Sequence, residues 1–229
     1  MDVGTRSQVK EMIKKGRVTV NGTIAGRPET KISAGQDQVC VDGTGLSYVE
    51  YVYYMLYKPA GCVSATEDSL HETVLDHIGD VPKRSALFPE GRLDLDTEGL
   101  LLMTNDGALA HDLLAPGRHV PKTYYAKVKG QITSREVDLF AEGMDIGEKR
   151  LTQPAKLEIL RSTEESEVLV TISEGKFHQI KRMFACVGSE VTYLKRLSMG
   201  SLQLDEQLQP GEYRSLTEEE ISDLRNRKG

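Results

Sequence analysis

A seventeen-residue run, GRLDLDTEGLLLMTNDG from Gly91 to Gly107, constrains this chain more than any other segment. It sets the carboxylates Asp94 and Asp96 beside Arg92, then turns abruptly apolar from Leu100 to Met103. Charges this close to a buried stretch are costly unless they are paired or used. The apolar part predicts a buried strand over residues 100–104, with Asn105-Asp106-Gly107 as its turn. The carboxylates are then either an ordinary salt bridge at a strand edge or part of a site.

Around this run the chain reads as many strands with few short helices, which favours an α+β fold over a doubly wound α/β fold. Strands are expected at 51–57, 123–129, 155–160, 168–172, 191–194, 202–204 and around Tyr213. Helices are expected at 73–78, 108–114, 134–142 and 177–186. In 123–129, alternation makes Tyr125 the core candidate if Tyr124 faces a cleft. The N-terminus predicts a helix over 5–15, capped by Thr5 or Ser7, with Val9, Met12 and Ile13 on one side. Strands at 18–20 and 39–41 follow, with turn signals at Asn21-Gly22 and Asp42-Gly43. This divides the chain into a small module at 1–43, a connector at 44–51 and a larger domain at 52–229.

Composition excludes several classes. No 18-residue apolar run offers a membrane span, and the opening residues, which lack a basic-plus-apolar pattern, are not expected to act as a signal peptide. Cys40, Cys62 and Cys186 are too scattered to form a ligand cluster, and they suit reduced thiols in the cytoplasm. His71 and His77 complete no metal pattern. No Walker loop or GxGxxG motif is present, so neither a nucleotide fuel nor a dinucleotide is indicated. The net charge of -6 argues against a general nucleic-acid binder. Its distribution softens that objection. Residues 1–31 carry seven basic and three acidic side chains, and residues 175–196 carry five and one. Acid is concentrated at 131–174, ten against five. Two basic patches on an acidic body suit a selective RNA contact, or are ordinary solvated faces.

Several motifs, in order, carry a family resemblance over essentially the whole chain: KPAG (58–61), the seventeen-residue run, Lys122-Thr123-Tyr124, EGKFHQIKRM (174–183) and the tail LQPGEYRSLTEEEI. The chain resembles the pseudouridine synthases of the small-subunit ribosomal RNA (RsuA) type. The stretch TRSQVKEMIKKGRVTVNG is similar to the RNA-binding module of the fourth small-subunit ribosomal protein, and the module is expected to lack its first helix. The resemblance implies a pseudouridine-synthase fold with a mixed, largely antiparallel sheet and a catalytic cleft. The implied activity is isomerisation of one uridine in the 5′ domain of bacterial 16S rRNA, without a cofactor. The expected substrate is 16S rRNA, free or within a small-subunit assembly intermediate. The expected protein is a cytoplasmic monomer with no membrane contact.

The reaction breaks the base–ribose bond, turns the base and rejoins it through carbon. A carboxylate suits attack on an electrophilic carbon or stabilisation of developing charge. The resemblance assigns that part to Asp94, although Asp96 competes on chemistry alone. It assigns base stacking and proton transfer to Tyr124, and the orienting cation to Lys181. It sets the KPAG loop near the cleft, so Lys58 is either a substrate-pocket residue or a structural strand end, and Ile180 either lines the same pocket or belongs to the core. Arg6, Lys10, Lys14 and Arg17 of the module, and Arg92, Lys176, His178 and Arg182 of the larger domain, are expected at RNA. Two other classes compete: a glycosidase-like carboxylate pair and an RNA-binding assembly protein that performs no chemistry. A sister synthase acting on 23S rRNA is the alternative within the family.

Overall fold

The computed structural model describes residues 3–33, 36–46, 49–114, 117 and 119–226. The chain forms two units, one comprising residues 1–52 and 80–84, the other residues 53–79 and 85–229. Among the described residues no helix is long and apolar enough to cross a membrane.

The first unit opens on helix α1 (Arg6–Lys14). Thr5 caps it through a reciprocal box with Gln8, which satisfies donors that a helix start leaves orphaned. Among the described residues four strands follow: β1 (Val18–Val20), β2 (Thr23–Ile24), β3 (Val39–Val41) and β4 (Thr44–Leu46), in spatial order β2-β1-β3-β4. Asn21-Gly22 and Asp42-Gly43 are the two-residue hairpin loops, with positive φ at all four residues. The stretch expected as a connector therefore begins with a strand, because the Asp42-Gly43 turn returns the chain onto β3.

The second unit is built on nine strands among the described residues: β5 (Tyr53–Lys58), β6 (Phe88–Glu90), β7 (Glu98–Thr104), β8 (Lys122–Lys129), β9 (Lys156–Arg161), β10 (Glu165–Ile172), β11 (Val191–Met199), β12 (Leu202–Gln203) and β13 (Tyr213–Ser215). The main path runs β13-β5-β7-β11-β8-β10-β9, with β6 on β7 and β12 on β11. The β7–β11 pair is parallel and the other pairs are antiparallel. Among the described residues four α-helices accompany the sheet: α2 (Gly107–Leu114), α3 (Ser134–Glu142), α4 (Gln179–Cys186) and α5 (Glu218–Arg225).

Leu100 to Met103 are wholly buried, as expected of the apolar half of the seventeen-residue run. One core joins α3 and α4 to β8, β9 and β10, with Phe140 and Phe184 in ring contact at 4.9 Å. A second joins Tyr53, Met55, Leu100 and Leu102 to Leu109, Leu113 and Leu224. Asp106 ends the run by accepting from the Leu109 amide and the Tyr53 hydroxyl, so this carboxylate holds the start of α2 and the foot of β5.

Three local expectations are corrected. Residues 73–78 form turns, not a helix, with Asp76 accepting from both the amide and hydroxyl of Thr73. Helix α4 starts at Gln179, because His178 adopts left-handed backbone angles (φ 49, ψ 34) that no helix accommodates. On β8 it is Tyr124 that is buried, and Tyr125 is half-buried against Tyr193 on the other face.

Candidate active site

The site is organised by how the sequence pins the backbone around Asp94. Lys58, the last residue of β5, is fully buried and spends its ammonium on main-chain oxygens. It donates to Pro59 O at 3.0 Å, Asp94 O at 3.1 Å and Thr97 O at 2.9 Å. Burial pushes its pKa down. The same KPAG turn supplies the Gly61 amide to Leu95 O at 2.8 Å. Ser64 closes the other end, its hydroxyl donating to Leu93 O and accepting from the Leu93 amide, both at 2.9 Å. Leu93 itself docks into the core that holds Tyr124 and Ile180. Residues 93–97 are thus fixed at several backbone points, and Asp94 is presented from a rigid loop.

Gly99 closes the run from below. Its φ of +107 and the approach of β11 exclude a side chain, since a Cβ would lie 2.2 Å from Arg196 O.

The side chains of Asp94 and Asp96 meet the first turn of α4. Lys181 Nζ lies 3.1 Å from Asp94 Oδ2 and 2.5 Å from Asp96 Oδ1. The two carboxylates differ in setting: the Asp94 side chain is 28% exposed and that of Asp96 71%. Burial opposes the Lys181 charge, but hydrogen bonds to Asp96 and Asp94 hold its pKa above the usual lysine range. Burial likewise opposes ionisation of Asp96, and the Lys181 hydrogen bond and charge outweigh it, holding its pKa low. His178 Nε2 stands 3.6 Å from Asp94 Oδ1. Helix α4 divides three successive residues among three environments: Ile180 into the core, Lys181 onto the carboxylates, and Arg182 onto the neighbouring loop.

The structure therefore brings Asp94, Lys181 and His178 together, with Tyr124 and Ile180 packed in the core that Leu93 enters. Other expected residues are engaged elsewhere. Lys58 serves the loop backbone and is not free for a substrate. Lys176 is bound to Arg150 O at 2.7 Å and Leu151 O at 2.8 Å. Arg182 donates to Glu148 at 2.9 Å, to Phe177 O at 3.1 Å and to Ile146 O. Arg17 forks onto Asp42, joining the end of α1 to the β3–β4 turn. Long cations reach backbone oxygens and carboxylates that sequence does not reveal. Arg92, Arg6, Lys10 and Lys14 are exposed. Ser64 was not anticipated; its only signal was its place shortly after KPAG. Among the described residues no three His, Cys, Asp or Glu side chains are grouped as metal ligands.

A half-buried carboxylate on a fixed loop, paired with a cation and flanked by an imidazole, can attack or stabilise an electrophilic carbon. This arrangement accompanies a clear kinship. The family described as RNA pseudouridylate synthase matches residues 52–186, and the S4 domain family matches residues 3–43. The chain belongs to the RNA pseudouridylate synthase family, whose members are isomerases. It is 47% identical to an uncharacterized RNA pseudouridine synthase, YtzG, of Bacillus subtilis, over 95% of this chain and 92% of the relative. It is 44% identical to the ribosomal small subunit pseudouridine synthase A of Escherichia coli K12, over 93% and 90%. A crystal structure of a pseudouridylate synthase superposes with a TM-score of 0.72 at 40% identity, covering 96% of this chain and 94% of that one.

Proposed function

We propose that this chain isomerises a single uridine of the 5′ domain of bacterial 16S rRNA to pseudouridine, with Asp94 as the catalytic carboxylate. The observation that carries this reading is the Asp94 loop: a carboxylate 28% exposed, its backbone locked by Lys58 and Ser64, its side chain 3.1 Å from Lys181. The names of the small-subunit relatives favour that RNA over 23S rRNA. Asp94 attacks or stabilises the carbon freed when the base–ribose bond breaks, and Lys181 keeps the carboxylate oriented. Tyr124 lines the pocket through its ring and offers its hydroxyl for proton movement. The uridine reaches Asp94 by leaving its stack, which makes single-stranded or distorted RNA the accessible target.

The division of labour follows the domains: the module of residues 1–43 together with β4 binds RNA, the stretch after β4 connects, and 52–229 perform the chemistry. In the module, Arg6, Lys10 and Lys14 are the phosphate contacts. Arg17 supports them through Asp42. The protein acts in the cytoplasm as a monomer. Incubation with unmodified small- and large-subunit particles, followed by nucleotide-resolution mapping, tests the assignment. One small-subunit site is expected; product confined to large-subunit RNA would overturn the choice of substrate.

A further inference from the structure

Phe177 is the most exposed aromatic side chain among the described large hydrophobic residues, at 73%. Leaving a phenyl ring in water forgoes the free energy that burial would supply, and nothing in the catalytic assignment uses it. Its setting is fixed all the same. The ring stacks face to face on His178, centroids 3.8 Å apart and planes 19° from parallel. The His178 backbone is left-handed, a conformation that a bulky side chain adopts only when its surroundings hold it there.

The neighbouring bonds do hold it. Lys176 is tied to Arg150 O and Leu151 O, Phe177 O accepts from Arg182, and Gln179 Oε1 accepts from the Lys176 amide at 2.9 Å. Glu174 Oε1 accepts from Gln179 Nε2 at 3.0 Å and from the Gln153 amide at 2.8 Å. The segment thus presents a two-ring stack on an immobilised backbone, at small further cost in side-chain entropy. Its other ring belongs to the site, since His178 meets Asp94 through its Nε2 edge at 3.6 Å. Phe177 meets His178 through the face, so the phenyl ring is displaced by one ring spacing from the imidazole that borders the carboxylate.

We infer that Phe177, backed by His178, is the stacking seat for the nucleobase adjacent to the target uridine. When that uridine leaves its stack to reach Asp94, its neighbour loses a partner. An exposed ring one spacing from the carboxylate's flank replaces that partner and lowers the cost of extrusion. This seat deepens the proposed function and rests on it. It takes an unstacked RNA base of any identity, because every base offers a π-face.

The test compares the full chain with Phe177→Leu and Phe177→Trp, using the unmodified small-subunit particle and a 16S rRNA transcript as probes. Single-turnover product formation at subsaturating enzyme and equilibrium RNA affinity are both measured, with thermal unfolding as a fold check. Leucine keeps apolar bulk and removes the π-face, so roughly ten- to a hundredfold is lost in the rate–affinity product. Tryptophan stays within about threefold of the native chain, and no variant shifts the unfolding midpoint, because the ring is exposed. Fluorescence of 2-aminopurine placed beside the mapped uridine is quenched by the native chain and by Phe177→Trp, but not by Phe177→Leu. A leucine variant equal to the native chain in rate, affinity and quenching overturns the inference while leaving the synthase reading intact. Failure of the native chain to modify small-subunit RNA overturns that reading instead. The affinity comparison among the three proteins still decides whether Phe177 seats a base.

Discussion

The two units hold their folds by different means. In the first, α1 buries no residue completely, and its apolar side, Val9, Met12 and Ile13, borders a cavity of about 180 Å³ that Val18, Val20 and Val39 also line. What fixes it is local: a capping box, two Asx-Gly hairpins and the Arg17–Asp42 fork. In the second, five consecutive residues of β7, Leu100 to Thr104, are wholly buried, and two hydrophobic cores cover the sheet. A surface that must meet varied backbone phosphates tolerates a lightly packed support. A carboxylate that must meet one carbon does not.

Lys58 is where this contrast is sharpest, and its loss has the largest expected effect. Lys58→Met fills similar space but strands the oxygens of Pro59, Asp94 and Thr97. A loss of about 3 kcal/mol or more is expected in urea unfolding of the catalytic unit, with activity falling in parallel. A variant of native stability would remove Lys58 from the loop's support.

Truncations compare the cores directly. Leu102→Ala, at a site with no exposure, should cost about 2–5 kcal/mol. Ile13→Ala, half-buried beside an existing cavity, should cost about 1 kcal/mol and act on the first unit alone. Equal costs by hydrogen exchange of the two units would erase the distinction.

On the RNA side, Lys10→Gln with Lys14→Gln should lower affinity several-fold at low salt and flatten the salt slope by about two. Bound RNA should still be converted at the native rate, since phosphate contacts position rather than react. An unchanged slope would take these lysines off the contact surface.

The smallest expected effect is pH dependence at the mouth of the site. The Asp96 pKa is held low, so its contribution is present above the unfolded value and is lost as pH falls through the folded one. The Lys181 pKa is held high, so its contribution is full below the unfolded value and is lost as pH rises through the folded one. The difference in thermal midpoint between the native chain and Lys181→Met should therefore be constant from about pH 5 to about pH 9 and shrink in stronger acid. A step near neutrality would mean that another group governs the cluster.

Local pattern made much of this legible. The buried strand after Asp96, the helix at 134–142 and the first hairpin lie where apolar period and turn chemistry indicate. The meeting of Asp94 with Lys181 was legible through motif resemblance, since the two lie 87 positions apart in the chain. What stayed hidden depends on tertiary reach. Nothing in the residue types says that Lys58, Lys176 and Arg182 turn onto backbone oxygens, nor that Ser64 clamps Leu93. Strand alternation separated Tyr124 from Tyr125 correctly, but which face α3 and α4 cover is decided by packing. Helix α5 was missed although Thr217 and Glu220 form a capping box, because its apolar side is slight.

The central claim is that Asp94 reacts while the surrounding loop only holds it. The direct test is single-turnover pseudouridine formation on pre-bound small-subunit RNA by Asp94→Asn and Asp96→Asn, each checked for folding and RNA affinity. The account predicts native affinity with no detectable product for Asp94→Asn, and conversion within about tenfold of native for the more exposed Asp96→Asn. Near-native product from Asp94→Asn, or collapse confined to a well-folded Asp96→Asn, would contradict it.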